Sequence, residues 1–107
     1  MNKTKIEKLL TSNPVILFMK GDKYMPKCGF SMNAVEILKD LNITFVTYDI
    51  LEDEELRQDL KEYSHWPTYP QLYIESELIG GCDIMKKLYL SGELEKKLSN
   101  YTNEANN

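Results

Sequence analysis

The sequence is poor in several features that mark particular classes of protein. Two cysteines in 107 residues are too few for a disulfide scaffold, which favours a reducing compartment. The longest apolar run, Val15 to Met19, is far shorter than the roughly 20 residues needed to span a bilayer. Its 13 basic and 17 acidic residues give a net charge of −4, whereas a nucleic-acid binder would show a basic excess. We therefore expect neither a membrane nor a nucleic acid as partner.

Targeting signals are also absent from the sequence. The first ten residues, MNKTKIEKLL, contain no long apolar core, no small-residue cleavage site and no arginine-rich, acid-free stretch. We therefore expect a cytoplasmic protein of bacterial type, or an organellar matrix protein if a presequence has been removed.

The chain has enough apolar residues, 42%, for one ordinary core, and its length predicts a single domain over residues 1–107. We expect a folded core at about 3–101 and a polar tail at 102–107. Periodicity and residue type predict helices and strands in the order α-β-α-β-α-β-β-α-α. The predicted helices cover 3–10, 31–41, 53–63, 83–90 and 93–101, and the predicted strands 15–19, 44–50, 71–74 and 78–79.

The order of these elements predicts an α/β fold. Strands separated by helices imply right-handed crossovers and a parallel part of the sheet. The last two strands flank Glu75-Ser76-Glu77 and suggest an antiparallel hairpin, although these residues suit a tight turn poorly. The result is a thioredoxin-like fold with a central four-stranded mixed sheet flanked by helices.

One cysteine stands where its thiol would be activated. Cys28-Gly29-Phe30-Ser31 opens the second predicted helix, and a helix N-terminus stabilises a thiolate through free N–H groups and a partial positive charge. Lys20 and Lys27 could add positive potential. Ser31 stands where a second thiol would form a C-x-x-C pair, so disulfide chemistry within this motif is excluded. The alternative is a cysteine that lies at a helix start without any special role.

Three segments resemble the monothiol, CGFS-type glutaredoxins. They are KGDKYMPKCGFS at 20–31, WPTYPQLYI at 66–74 and GGCDI at 80–84, and the resemblance extends over about 6–98. It implies a thioredoxin-like fold that binds glutathione beside Cys28. It also implies a [2Fe-2S] cluster shared by two monomers, each of which supplies Cys28 and one bound glutathione. Four thiolates are what such a cluster requires.

The resemblance implies two backbone contacts for glutathione. Thr68-Tyr69-Pro70 is similar to the family's T-x-P turn, in which the proline bond is cis and the residue before it presents its backbone to the cysteine of glutathione. Tyrosine in place of an aliphatic residue is expected to alter the rim of the pocket. Gly81, Cys82 and Asp83 are expected at a helix start that receives the γ-glutamyl carboxylate.

The charged residues at the two ends of glutathione follow from the same resemblance. Asp83 would pair with the γ-glutamyl ammonium, and it would also cap its helix, which is its simplest role. Lys20, Arg57 and Lys61 would bind the glycine carboxylate. Without the resemblance, Arg57 and Lys61 are ordinary exposed charges on a helix.

Other residues near these motifs have two interpretations. Phe30 is either a core residue or, as the resemblance implies, a residue of the glutathione site whose ring shields the cluster. Cys82 is either a small buried residue or a second thiol that pairs with Cys28 on oxidation, which the sequence alone cannot decide. We expect Trp66 to support the pocket rather than to contact the ligand. The lone histidine, His65, has no partner in view for catalysis or metal binding.

Three functions are therefore to be compared. The leading hypothesis is a carrier, monomeric when apo, that holds the cluster in a glutathione-bridged homodimer and transfers it to acceptor Fe-S apoproteins, with a BolA-type protein as a further partner that the family suggests. The alternative is a glutathione-dependent thiol-disulfide oxidoreductase that uses Cys28 alone. The third is an interaction module that retains the fold without a cofactor.

Overall fold

A computed structural model describes residues 2–103 of the chain, as a four-stranded mixed sheet with helices on both faces. The predicted order of elements is confirmed. In chain order the elements are α1 (Lys3–Thr11), β1 (Val15–Met19), α2 (Gly29–Asp40), β2 (Val46–Asp49), α3 (Glu54–Ser64), β3 (Gln71–Ile74), β4 (Glu77–Gly80), α4 (Cys82–Ser91), α5 (Glu93–Lys97) and a 3₁₀ turn at Ser99–Tyr101.

The sheet has the strand order β2-β1-β3-β4. Strand β1 pairs with β2 in parallel and with β3 antiparallel, and β3 pairs antiparallel with β4. This topology confirms the predicted thioredoxin-like fold. All five residues of β1 are buried, as its continuous apolar run predicted, because the strand is central and covered on both faces.

Alternation along β1 divides the interior into two cores. Val15, Leu17 and Met19 point to the side covered by α2, α4 and α5. Ile16 and Phe18 point to the side covered by α1 and α3. A period of two along a strand produces this division, and each helix contributes the apolar face that its spacing predicted.

The C-terminal part differs from the prediction. One helix was expected over 93–101, but α5 ends at Lys97 and the chain tightens into a 3₁₀ turn. The first two residues of the expected tail at 102–107 are bonded to the rest of the fold, because Thr102 forms a bridge with Ile43 and the Asn103 N–H donates to the Asn42 carbonyl at 2.7 Å. These backbone bonds hold the segment against the rest of the fold. The remainder of the predicted tail, 104–107, lies outside the described residues.

The hairpin between β3 and β4 is present despite its unfavourable turn residues. Glu75 and Ser76 have φ of 49° and 67°, the positive values that a two-residue type I′ loop requires and that glycine or asparagine usually supply. Tertiary contacts stabilise the turn, because the Glu75 N–H donates to the Pro14 carbonyl at 2.7 Å and Tyr101 donates its hydroxyl to the Glu75 carboxylate at 2.5 Å. Within residues 2–103 no helix is both long and apolar enough to cross a membrane.

The loop at 21–27, between β1 and α2, is closed by its own hydrogen bonds. Gly21 bridges to Pro26, and the Lys27 N–H donates to the Lys20 carbonyl at 2.9 Å. The Gly21 N–H also donates to the Asp49 carboxylate at 3.0 Å, which ties the loop to the end of β2. Gly21 has φ of +86°, a conformation that residues with a side chain rarely adopt.

This geometry predicts a large loss of stability for Gly21→Ala. A Cβ at Gly21 would lie 2.4 Å from the Met25 carbonyl oxygen and 2.8 Å from the Lys27 nitrogen, so backbone would have to move. We expect the free energy of unfolding to fall by about 2–4 kcal/mol, from strain and collision together. Urea unfolding followed by circular dichroism measures this change.

Two other glycines provide matched controls for this experiment. Gly92 has a similar φ of +82°, but a Cβ added there would meet no atom within 4 Å, so Gly92→Ala isolates the strain of about 1–2 kcal/mol. Gly29, in the first turn of α2, has no positive φ, and a Cβ added there would meet no atom within 4 Å. Gly29→Ala should therefore change the free energy of unfolding by less than about 1 kcal/mol. Equal losses for Gly21→Ala and Gly92→Ala would contradict the proposed collision.

Candidate functional site

Cys28 caps helix α2 with its sulfur. It is the N-cap residue, in an extended conformation, and its Sγ accepts a hydrogen bond from the Ser31 N–H at 3.4 Å. The Cys28 thiol donates to Ser31 Oγ at 3.3 Å, and the Lys20 backbone N–H donates to the same oxygen at 3.1 Å. Ser31 is fully buried. It is therefore a structural partner of the thiol and not merely the position where a second cysteine is missing.

These contacts favour the thiolate of Cys28. Partial burial raises the pKa of the thiol. Hydrogen bonds to the ionised sulfur lower it, since the Ser31 hydroxyl becomes the donor once the thiol has lost its proton and the Ser31 and Phe30 backbones also contribute, and so does the charge of Lys20. The net effect is a Cys28 pKa below its ordinary value. The predicted activation at the helix start is therefore present, with Ser31 as its main source. This role of Ser31 was not predicted from the sequence.

A cavity of about 620 Å³ lies at this end of the sheet. It brings together all ten residues that the resemblance implied for glutathione, and Trp66, Pro67 and Ile84 complete its lining. The ten residues are Lys20, Phe30, Arg57, Lys61, Thr68, Tyr69, Pro70, Gly81, Cys82 and Asp83. Its volume falls within the range of about 300–1,000 Å³ that is usual for small-molecule sites.

The loop before β3 forms one wall of the cavity. The Tyr69–Pro70 peptide bond is cis, as the resemblance implied. The Tyr69 side chain is only 7% exposed and packs in the core on the side of α1 and α3, yet Tyr69 also lines the cavity, and its effect on the rim stays a prediction. The Tyr69 hydroxyl donates to the Arg57 carbonyl at 2.8 Å, so it joins this loop to helix α3.

Cationic side chains line the cavity on the side of α3. Arg57 is half-buried, and its guanidinium lies 3.5 Å from the Glu54 carboxylate one turn earlier, a surface pair that contributes little to stability. Lys61 follows one turn later, and Lys20 comes from the end of β1. The structure therefore brings the three expected cations to one cavity.

Two residues that line this cavity each have a buried N–H group without a hydrogen-bond partner within the described residues. They are Nε of Arg57 and Nε1 of Trp66. A buried donor without an acceptor costs about 1–3 kcal/mol, so an acceptor atom that reached either group would bind favourably. Trp66 was expected only to support the pocket, and its unpaired nitrogen was not foreseen.

The start of helix α4 forms the opposite wall and corrects one prediction. The N-cap is Gly81, and Asp83 lies in the first turn, exposed. Asp83 is therefore not the capping residue, although a carboxylate in the first turn still interacts favourably with the helix dipole. A Cβ on Gly81 would lie 3.2 Å from the Pro70 carbonyl oxygen, so glycine allows the two walls to approach closely.

The structure decides one of the two open interpretations. Phe30 is 64% exposed, so it is not a core residue. Cys82 is partly buried and both cysteines are free. Burial raises the Cys82 pKa, as do the charges of Asp83 and Cys28, while Lys86 opposes the shift. The pairing of Cys82 with Cys28 on oxidation stays a prediction.

Comparison with known proteins identifies relatives over nearly the whole chain. The glutaredoxin family model matches residues 15–79. The probable monothiol glutaredoxin 2 of Rickettsia conorii is 57% identical over 97 residues, which are 91% of each chain. The solution structure of reduced apo GrxS14 from poplar has a TM-score of 0.79 and 56% identity, over 92% of this chain and 90% of that one. A buckwheat glutaredoxin-glutathione complex shares the fold, with a TM-score of 0.79 at 23% identity, over 91% and 86%.

The opposite pKa shifts predict that the two thiols react at different rates. At pH 7 we expect iodoacetamide to alkylate Cys28 faster than Cys82, because the lowered pKa leaves more thiolate at Cys28. One unit of pKa changes the thiolate fraction about tenfold below the pKa. Mass spectrometry of the two cysteine peptides across pH 5–9 measures both titrations.

Ser31→Ala should raise the pKa of Cys28 and slow its alkylation at pH 7, because it removes the side-chain hydrogen bond. Ser12→Ala, at the end of α1, is the matched control and should change neither thiol. Coincident alkylation midpoints for Cys28 and Cys82 in the unsubstituted protein would refute the assigned electrostatics.

Proposed function

The chain belongs to the monothiol glutaredoxin family, and from this premise we propose that it binds glutathione beside Cys28 and carries a [2Fe-2S] cluster. The cluster is cargo, held in a glutathione-bridged homodimer and transferred to acceptor Fe-S apoproteins. The apo chain is a monomer. The proposal includes a bacterial-type cytoplasmic or organellar matrix location, and a BolA-type protein as an alternative to the second copy.

The cavity's polar lining is the observation that carries the proposal. Arg57 and Lys61 come from α3 and Asp83 from α4, and these helices cover opposite faces of the sheet. Glutathione has a matching distribution of charge, with the glycine carboxylate at one end and the γ-glutamyl ammonium at the other. The unpaired Nε of Arg57 and Nε1 of Trp66 fit acceptor atoms of a peptide between these ends.

The ligand count supports a shared cluster. Such a cluster takes four thiolates, and the part of the chain that the structure describes contains no group of three or more clustered metal-ligating side chains. Cys28, with its lowered pKa, supplies one thiolate per chain. Two chains and two glutathiones complete the set. When bound, the cluster exchanges its thiolate ligands, and the chain's part is to hold Cys28 ionised and glutathione beside it.

Exposed apolar side chains close to Cys28 in sequence support a docking role for this segment. Tyr24, Met25, Phe30 and Met32 are 83%, 70%, 64% and 46% exposed. Large exposed apolar side chains are typical of an interaction site when they form a patch. In the proposed dimer this segment contacts the second copy.

Anaerobic reconstitution with iron, sulfide and glutathione tests the carrier function. We expect a brown dimer with one cluster and two glutathiones, seen by absorption, circular dichroism and native mass spectrometry. Omission of glutathione should prevent assembly, because half of the thiolates would be missing. A colourless monomer under these conditions would contradict the proposal and favour an interaction module without cofactor.

Cysteine variants sharpen the test. Cys28→Ser should abolish cluster binding, since serine offers no thiolate. Cys82→Ser is the matched control and should retain the cluster, because the raised pKa of Cys82 disfavours its thiolate as a ligand. A Cys28→Ser protein that holds a full-intensity cluster would rule out the proposed ligand set.

The lowered pKa of Cys28 also favours a second function, monothiol exchange. The Cys28 thiolate would attack the glutathione sulfur of a mixed disulfide, form a Cys28–glutathione disulfide and release the other thiol as a thiolate. A second glutathione thiolate would then attack this disulfide, form oxidised glutathione and restore the Cys28 thiolate. Each step breaks one disulfide bond and forms another. Overall, the mixed disulfide is reduced to the free thiol, and its glutathione and the second glutathione leave together as oxidised glutathione.

A hydroxyethyl-disulfide reduction assay distinguishes the two functions. If the chain is mainly a carrier, we expect activity far below that of a dithiol glutaredoxin assayed in parallel. Comparable activity, lost in Cys28→Ser and retained in Cys82→Ser, would instead establish exchange as the main function.

A further inference from the structure

Gln71 is a fully buried polar residue at the start of the central strand β3. Its side-chain Nε2 donates to the Trp66 carbonyl at 3.1 Å and to the Thr68 carbonyl at 3.2 Å. Its Oε1 accepts a hydrogen bond from the Tyr73 hydroxyl at 3.0 Å. Both N–H donors of the amide therefore bond to the loop before β3, which lines the cavity, and its oxygen accepts from a tyrosine of the core.

The two loop carbonyls fix which way the amide of Gln71 faces. A carbonyl oxygen only accepts, so if the amide were reversed its oxygen would face two acceptors. The Tyr73 hydroxyl adds the third bond from the core, where Tyr73 is 2% exposed and its ring packs edge-on against Phe18 with centroids 5.5 Å apart. Burial raises the pKa of Tyr73 to about 12, so its hydroxyl remains a donor at neutral pH. Both N–H groups of Gln71 therefore face the loop.

This arrangement determines the direction of the next peptide group. The Thr68 carbonyl points inward to Gln71, and in a trans peptide the following N–H points the opposite way. The N–H of Tyr69 is therefore directed away from Gln71, in a loop whose residues line the cavity. The buried Tyr69 hydroxyl, bonded to the Arg57 carbonyl, keeps this residue from turning.

We propose that Gln71 is the positioning residue of the glutathione site: by holding the Thr68 carbonyl inward, it aims the Tyr69 N–H at the bound tripeptide. The inference rests on the proposed glutathione binding and adds the residue that prepares the loop for it. Preorganised backbone donors bind better than mobile ones, because their ordering cost is met during folding.

Gln71→Met tests this role, because it keeps the length of the side chain but removes both donors. We expect the Kd for glutathione, from calorimetry, to rise about three- to tenfold, the usual effect of one hydrogen bond. Circular dichroism identifies a temperature at which the variant is fully folded, and the binding experiments are carried out at that temperature. Spectra of uniformly ¹⁵N-labelled protein follow the amides of Tyr69 and of Gly81 to Asp83. The Tyr69 amide should shift downfield with glutathione in the unsubstituted chain and much less in the variant.

Tyr73→Phe is the matched control. It removes one hydrogen bond of the same buried network but leaves both loop contacts of Gln71, so it should reduce stability while Kd stays within about twofold. If Gln71→Met fails to fold, Gln71→Asn replaces it, since asparagine keeps the amide but is one methylene group shorter and cannot reach the Tyr73 hydroxyl and both loop carbonyls together.

The outcomes separate the two proposals. A folded Gln71 variant with an unchanged Kd, or a Tyr69 amide that glutathione does not shift while the amides of Gly81 to Asp83 do shift, would overturn the role of Gln71 alone. An unsubstituted chain that shows neither binding heat nor any cavity amide shift would overturn glutathione binding, and the role of Gln71 with it.

Discussion

The Ser31 side chain makes the contacts on which the site depends. Its hydroxyl oxygen receives the Lys20 N–H from the end of β1 and the Cys28 thiol from the cap of α2, and its own N–H donates to the sulfur. One buried hydroxyl thus joins the central strand, the helix start and the reactive atom.

Strand pairing explains why distant segments meet at this end of the molecule. Because β3 runs antiparallel to β1, the start of β3 lies beside the end of β1, with Phe18 opposite Gln71. Because β4 runs antiparallel to β3, its last residue, Gly80, lies opposite Leu72. Lys20, the loop before β3 and the start of α4 therefore converge on one cavity. The same geometry brings Arg57 and Lys61, from the helix on one face of the sheet, and Asp83, from the helix on the other face, to the same cavity.

Periodicity predicts most of the fold, because the patterns of helices and strands are encoded locally, whereas the cavity lining follows from the resemblance of three segments to a known family. The features that neither predicts depend on partners distant in sequence. The burial of the Tyr69 side chain is one, because its hydroxyl donates to the carbonyl of Arg57, twelve positions earlier. Gln71 lies within an apolar strand, and a glutamine among apolar residues is the signal that could have indicated a buried network. Asp83 is a good N-cap by type, yet close packing of Gly81 on Pro70 starts the helix earlier.

The burial of β1 on both faces has a consequence for local opening of the structure. A central strand that is hydrogen-bonded on both edges and covered on both faces belongs to the last cooperative unit to exchange its amide hydrogens with solvent. Lys20 and, through Ser31, the thiol of Cys28 are attached to the end of that unit. The reactive sulfur is thus attached to the slowest-exchanging part of the chain. Local unfolding that releases α3 or the start of α4 from the cavity would leave the hydrogen bonds between Lys20, Ser31 and Cys28 intact.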